Sequence, residues 1–534
     1  MSTSNSGHDL NTQNSPDLHK SILKSTSILS LGTLSSRILG FIRDVLLASI
    51  LGTRVVADAF FVALKIPNLF RDFVAEGAIN AAVVPVFTEY KDKQTKEEFW
   101  AFVNVIFSWA LIGLSLITIS GIFLADWIVR AIAPGFMEDS GKLLLTIDLT
   151  KTMFPYLIFI GLVSYCMGLL YTFRSFVVPA FSPCLLNISL IISALWASRY
   201  MDEPVLGLAV GVLIGGILQL LAYIKPLRSI GFRYKIPKSL KHPGAKKIGR
   251  LLVPRMFGAG VYQLTVLIDT LCASLSSIVG VGGISAVYYA NRIIHFPLGI
   301  FGVALASAVL PTFSSLAHEK NYDRLKQTLV FALENIFFVM CPTMVMMFVL
   351  ADPIIRVLFE RGAFDSYSTM ITSGALSFYA LGLFAFGGIK IMVAAFHALQ
   401  DTKTPVKVAA LCLVINAILN VVLMFPMKIS GIALASAIAG SIDLIILFYL
   451  LNKRLPGISK GVLKFSSKVI IAALVTGVCG YLLWHNVSYG YELVRLFVIG
   501  ISGFIIYGVI CYALGVEQVS KLINFIRTKL GLIS

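Results

Sequence analysis

The 534 residues carry 44 Lys and Arg against 27 Asp and Glu, a net charge of +17, yet only 13% of the chain is charged and 57% is hydrophobic. With a mean hydropathy of +0.86, this composition excludes a soluble globular domain. The basic residues sit in loops between apolar runs, which argues against a nucleic-acid binder despite the positive charge.

In chain order, the first eighteen residues, MSTSNSGHDLNTQNSPDL, are polar and expected to be disordered. They have no basic n-region, and no A-x-A cleavage site follows the first apolar run, so that run is expected to remain as a span. Fourteen apolar runs begin near residues 25, 57, 100, 146, 178, 205, 250, 284, 327, 369, 405, 430, 463 and 493. Each is long enough for about 30 Å of hydrocarbon. Lys and Arg collect in alternate loops: Lys91, Lys93 and Lys96, then Lys225 to Lys247, then Lys320, Arg324 and Lys326, then Lys403 and Lys407, then Lys453, Arg454 and Lys460. The intervening SSIVGVGGIS and HNVSYGYE carry none. That alternation predicts both termini in the cytoplasm.

The expected organisation is a polar N-terminus (1–23), a first lobe of spans 1–6 (24–228) and a basic linker (229–248). A second lobe of spans 7–12 (249–455), spans 13–14 (456–516) and a basic amphipathic tail (517–534) follow. The seven cysteines lie in or at the ends of apolar runs without ligand spacing, and read as small buried hydrophobes. The two lobes resemble each other at an offset of 226 residues. AINAAVVPVF (Ala78–Phe87) matches ALASAVLPTF (Ala304–Phe313), and Phe70/Phe296 and Pro179/Pro405 keep the register. An even number of spans between copies makes this a parallel repeat around a central cavity.

Charge breaks the symmetry. Spans 1 and 2 hold Arg37, Arg43, Asp44, Asp58, Lys65, Arg71, Asp72 and Glu76, whereas Arg43, Lys65 and Arg71 correspond to Asp269, Asn291 and Pro297. The second lobe adds Arg292 and Arg255. A charge at membrane depth costs roughly 2.5–3.5 kcal/mol on insertion scales, so this cluster points to a cationic cavity for an anion, with carboxylates as counter-charges or latches. Arg54, Arg199, Lys428 and Asp72 read instead as interfacial residues. Gly40 and Pro67 are expected bends that let the arginines converge.

The segments SSRILGFIRD, ADAFFVALKIPNLFR, FVAEGAINAAVVPVFTEY, APGF and YYANRIIHFPLGIFGVALASAVLP resemble the signatures of the MurJ (MviN) family of bacterial lipid II flippases. The resemblance runs from about residue 24 to the end. It implies an all-α integral membrane protein of the multidrug/oligosaccharidyl-lipid/polysaccharide exporter fold, with fourteen helices in two lobes and a lipid groove beside spans 13 and 14. It implies Arg37, Arg43, Arg71 and Arg292 as substrate contacts and Asp44, Asp58, Lys65 and Glu76 as gate or counter-charges. Asn291 and His295 stand where family members often carry acids. A sodium ion would take Asp269, Asn416, Asn420 and Ser436, although interhelical amide bonding accounts for the asparagines equally well. The implied substrate is lipid II, the undecaprenyl-diphosphate-linked disaccharide-peptide. The surroundings are the lipids of the inner membrane, and cell-wall synthesis proteins are expected partners. No enzymatic nucleophile–base pair, metal spacing or P-loop is found in the sequence. A flippase for another polyprenyl-diphosphate oligosaccharide, or a cation-coupled drug exporter of the same fold, stays open.

Overall fold

The computed structural model describes residues 15–71, 80–487 and 490–529, and every regular element among them is helical. A first group comprises α1 (Ser15–Leu51), α2 (Val55–Arg71), α3 (Asn80–Lys93), α4 (Lys96–Phe123), α5 (Ala125–Ile132), α6 (Ser140–Met153), α7 (Tyr156–Thr172), α8 (Val177–Tyr200) and α9 (Pro204–Ser229). A second holds α10 (Pro243–Ser274), α11 (Ser276–Val279), α12 (Gly283–Pro297), α13 (Ala304–His318), α14 (Tyr322–Val349) and α15 (Ala351–Phe359). It continues with α16 (Ser366–Ala380), α17 (Leu383–Ala398), α18 (Lys403–Met427) and α19 (Ile429–Arg454). The chain ends on α20 (Ile458–Asn486), α21 (Glu492–Ala513) and α22 (Glu517–Lys529).

The repeat reaches down to helix caps. From α4, Lys96–Phe123, to α14, Tyr322–Val349, the offset is 226 residues at both ends. The starts of α5 to α9 recur in α15 to α19 at the same offset to within one residue. The start signals recur too. Thr95 caps α4 with a Glu98 capping box, and Asn321, its counterpart, accepts from Arg324 N to cap α14. Asp139 caps α6 and its counterpart Asp365 caps α16. Each such cap contributes about 1 kcal/mol and fixes where a helix begins.

Among the described residues, ten helical segments are long and apolar enough to span a membrane, and the bent pair α16–α17 makes an eleventh. That is consistent with the fourteen expected spans. The three that miss the test are α1, α2–α3 and α10, the ones that carry Arg37, Arg43 and Asp44, then Asp58 and Lys65, then Asp269. All three line the seam between the groups, α1 against α15, α2 against α12 and α10 against α3. The outward faces of α20 and α21 are apolar, with Leu474, Val478, Phe497, Ile501 and Ile505 exposed. The tail helix α22 packs back on α14, where Gln518 Nε2 donates to Glu334 Oε2 at 2.9 Å.

One end of the seam is closed by one backbone and one side-chain hydrogen bond. Ala363 N donates to Ser49 O at 2.7 Å, and Thr53 Oγ1 donates to Ser368 Oγ at 2.8 Å. At the other end the chain between the groups is the basic linker, tied to α3 by the Lys247–Glu89 ion pair.

Candidate functional site

Asp44 is the centre of a charged cluster that joins the two groups. It lies on α1 and is 1% exposed, a burial no carboxylate tolerates unpaired. Arg43 Nε and Nη2 donate to its Oδ1 at 3.0 and 2.7 Å, and Tyr288 Oη donates to the same oxygen at 3.0 Å. From the facing helix α12, Arg292 Nε donates to Oδ2 at 2.5 Å. The Tyr288 ring is stacked on Phe61 of α2, centroids 4.0 Å apart, and the Arg292 guanidinium lies 5.5 Å from its centre. One carboxylate thus bridges two arginines on different helices.

The two arginines are not equivalent. Arg43 is 7% exposed, and its remaining Nη1 donates to Asn187 Oδ1 at 2.8 Å. Asn187, on α8, in turn donates to Ser36 O at 3.0 Å, holding α1 and the arginine together. Arg292 keeps a side chain 44% exposed, so part of its fork stays accessible. Arg37 lies one face-repeat before Asp44 and does not join the pair. Its guanidinium rests against Gly299 in the π-helical turn Leu298–Val303 that joins α12 to α13, where a Cβ would lie 2.1 Å from Nη1. Such π turns gather at functional sites. α1 and α2 are continuous helices through Gly40 and Pro67. The facing helix α12 brings Arg292 to Asp44.

A second cluster latches the closed end. Asp58 of α2, 1% exposed, accepts from Ser285 N at 2.9 Å, Ser285 Oγ at 2.7 Å and Gly282 N at 3.2 Å. It therefore caps α12 from the other group and meets the positive end of that helix dipole. Lys142 of α6, 4% exposed, supplies the fourth bond at 2.8 Å and sits over the Phe136 ring at 4.1 Å. All four lone-pair sites of the carboxylate are used.

The third cluster is Asp269, Asn416, Asn420 and Ser436, which the structure does bring together. Asn420 Nδ2 donates to Asp269 Oδ1 at 2.7 Å, Ser436 Oγ to Oδ2 at 3.0 Å, and Asn416 Nδ2 to Ser436 Oγ at 3.2 Å. Asn420 Oδ1 is buried with no partner. This is an interhelical hydrogen-bond network in which the Asn420 amide nitrogen faces the carboxylate and that of Asn416 faces Ser436. A cation needs those amides turned over, and the orphaned Asn420 oxygen is the atom such a turn would use. Lys65 crosses from α2 to donate to Thr270 Oγ1 beside Asp269.

Of the other sequence-derived candidates, Arg71 ends α2, partly exposed. Glu76 and Asp72 lie outside the described residues, as does the side chain of Arg255. His295 is exposed on α12 within electrostatic reach of Arg37, Arg292 and Lys390. Sequence reasoning missed four residues: Asn187, Tyr288, Lys142 and Lys390. Asn187 in CLLNISL and Lys390 in FGGIKIMV did carry a signal, a polar group in the middle of an apolar span. Lys142 precedes the apolar run that begins near residue 146, and Tyr288 is one aromatic among many.

Known proteins match this architecture closely. The family model described as "Lipid II flippase MurJ" matches residues 47–501. A "Probable lipid II flippase MurJ" of Buchnera aphidicola is 34% identical over 518 residues, 94% of this chain and 98% of that protein. A "Lipid II flippase MurJ" of Burkholderia cenocepacia is 34% identical over 87% of this chain and 90% of its own length. A solved structure, "Lipid II flippase MurJ, inward closed conformation", superposes with a TM-score of 0.76 at 29% identity, covering 91% of this chain and 98% of that one. An inward-facing multidrug resistance transporter of the MATE family follows at a TM-score of 0.68 and 14% identity over 79% of this chain and 96% of that one, a likeness of fold alone.

Proposed function

The chain belongs to the MurJ family of lipid II flippases, and from that premise we propose how its seam of charges serves the movement of the lipid-linked peptidoglycan precursor across the bilayer. It is a multi-pass membrane transporter, not an enzyme. Its place is the bacterial inner membrane, with both termini in the cytoplasm, a reading supported by the alternation of basic loops. The substrate's diphosphate is the part that hydrocarbon rejects most strongly.

The observation that carries the proposal is the bridge from Asp44 to arginines on two helices of opposite groups. In this conformation Asp44 occupies the fork that a diphosphate would take. Arg292, half exposed, makes first contact, and Arg37 flanks the same wall. The diphosphate then competes with Asp44 for Arg292, while Arg43 stays pinned by Asn187 and Asp44. Arginine suits the task because its planar fork bonds phosphate bidentately and stays charged when desolvated. Arg71, Lys65 and Glu76 complete the polar path in this reading. The polyprenyl tail stays in an apolar medium along the outer faces of α20 and α21.

Alternating access follows from the latch. With Asp58 capping α12 the outer end is shut, and the head group enters from the cytoplasmic side. Rocking of the groups breaks the Asp58 bonds and opens the outer end. An arginine-lined wall is the wrong charge for a cationic drug. If a sodium ion takes part, Asp269, Asn416, Asn420 and Ser436 would hold it with oxygen donors suited to a hard cation. Its test is a sodium-over-potassium gain in thermal stability that Asp269→Asn removes.

The experiment is complementation. The protein is expressed in bacteria depleted of their own lipid II flippase, and lipid II on the outer leaflet is measured. Wild type is expected to restore exposure, and Arg292→Ala to lose it at equal membrane abundance. Wild type that is folded and abundant yet leaves lipid II inside would overturn the assignment.

A further inference from the structure

Away from the interlobe arginines, a cavity of about 810 Å³ lies between α4, α7, the basic linker and the start of α10. That is within the roughly 300–1,000 Å³ range of ligand sites. Its floor is apolar, made by Val83, Ile106, Tyr165, Ile248 and Leu252. Its rim is not. Lys241 and Lys246 stand there, both exposed and neither in an ion pair among the described residues. Glu89 pairs with Lys247, and residues 225–250 contain no Asp or Glu.

Trp109 sets the depth. Its side chain is half exposed at the cavity wall, and its Nε1 donates to Leu240 O at 2.9 Å, pinning the linker to α4. From Trp109 to Phe123 at the far end of α4 is roughly 21 Å of helical rise. With Phe123 at the outer edge of an about 30 Å hydrocarbon core, Trp109 lies about 9 Å inside the cytoplasmic edge, at the depth of a lipid's upper acyl chain.

We propose that this cavity binds one anionic phospholipid of the cytoplasmic leaflet, with an acyl chain against the Tyr165–Ile248 floor and the phosphate between Lys241 and Lys246. Charge complementarity chooses the occupant. A free phosphate has no use for the floor, and a zwitterionic headgroup brings a cation of its own beside the two lysines, a like-charge cost that a lipid of net negative charge avoids. The site does not depend on the lipid II reading. It lies on the linker that carries the chain from one group of helices to the other, so leaflet composition would act on that linker.

The test uses the full chain in lipid nanodiscs doped with phospholipids brominated on an acyl chain. Quenching of Trp109 is read as the difference between the protein and its Trp109→Phe variant. Brominated phosphatidylglycerol is expected to quench Trp109 at several-fold lower mole fraction than brominated phosphatidylcholine. Lys241→Gln and Lys246→Gln are each expected to raise that mole fraction about five-fold, and the Arg versions to keep it low. Equal quenching by the two lipids overturns the proposal, and that comparison needs no lysine variant to fold. Displacement of brominated phosphatidylglycerol by trace lipid II also overturns it, in favour of a substrate subsite.

Discussion

Asp58→Asn is the perturbation whose size can be worked from the structure. The amide keeps one acceptor for Ser285 but abolishes the ion pair to Lys142. Lys142 is 4% exposed and is left with Ser276 Oγ at 3.4 Å and the Phe136 ring. Removing one partner of a buried pair costs about 3–5 kcal/mol. The cost falls on the closed state, because opening the seam hydrates the lysine. The closed-to-open ratio is therefore expected to fall on the order of 10²-fold or more. The assay is labelling of Thr53→Cys, in a background without the native cysteines, by an impermeant thiol reagent added outside. Thr53 is 2% exposed at the closed end, so its labelling rate reports the open fraction. Asp58→Asn is expected to raise that rate by the same factor until it saturates. Lys142→Met added to Asp58→Asn is expected to bring it part of the way back, since removing both partners leaves no buried charge. An unchanged rate in folded Asp58→Asn protein would refute the latch.

Three further expectations rest on other contacts. Asn187→Ala leaves Arg43 Nη1 and Ser36 O without their partner, and is expected to lower stability by about 1–3 kcal/mol and to reduce lipid II exposure, read by thermal midpoint and by the complementation assay. Gly282→Ala meets a backbone angle φ of +85° and a Cβ only 1.9 Å from Thr53 O, so it is expected to raise Thr53→Cys labelling as Asp58→Asn does. His242 caps α10 by accepting from Gly244 N at 3.1 Å, and burial lowers its pKa below the usual 6.5. The folded state thus prefers the neutral ring, and its contribution is full above pH 6.5 and is lost as pH falls below it. A thermal midpoint that drops from pH 7.5 to pH 5, with a smaller drop in His242→Asn, is the expected result.

Much of this was legible in the sequence because it depends on local or periodic signals. The 226-residue repeat was visible in Ala78–Phe87, Phe70 and Pro179 and their counterparts, and the structure extends it to paired caps at Thr95/Asn321 and Asp139/Asp365. Cationic Arg43 and Arg292 stood out because an apolar span exposes any charge within it. What spacing could not give was the partner across the seam. Arg37, Arg43 and Asp44 share a helix, but the meeting of Asp44 with Arg292 and Tyr288 is set by how α12 faces α1, a packing outcome of residues more than 240 apart. Lys142 was illegible for the same reason. Its hydrogen-bond partners come from α2 and α11, neither of which is its neighbour in sequence.

The central claim is that a diphosphate takes Arg292 from Asp44, and affinity for the bare lipid carrier tests it most directly. Binding of undecaprenyl diphosphate and undecaprenyl monophosphate to the purified protein would be measured by native mass spectrometry, for wild type, Arg292→Gln and Arg292→Lys. Charged hydrogen bonds contribute about 1.5–3 kcal/mol, so Arg292→Gln is expected to weaken diphosphate binding on the order of ten- to a hundred-fold and to erase its advantage over monophosphate. Arg292→Lys is expected to retain part of it. Diphosphate affinity unchanged in folded Arg292→Gln protein would contradict the account.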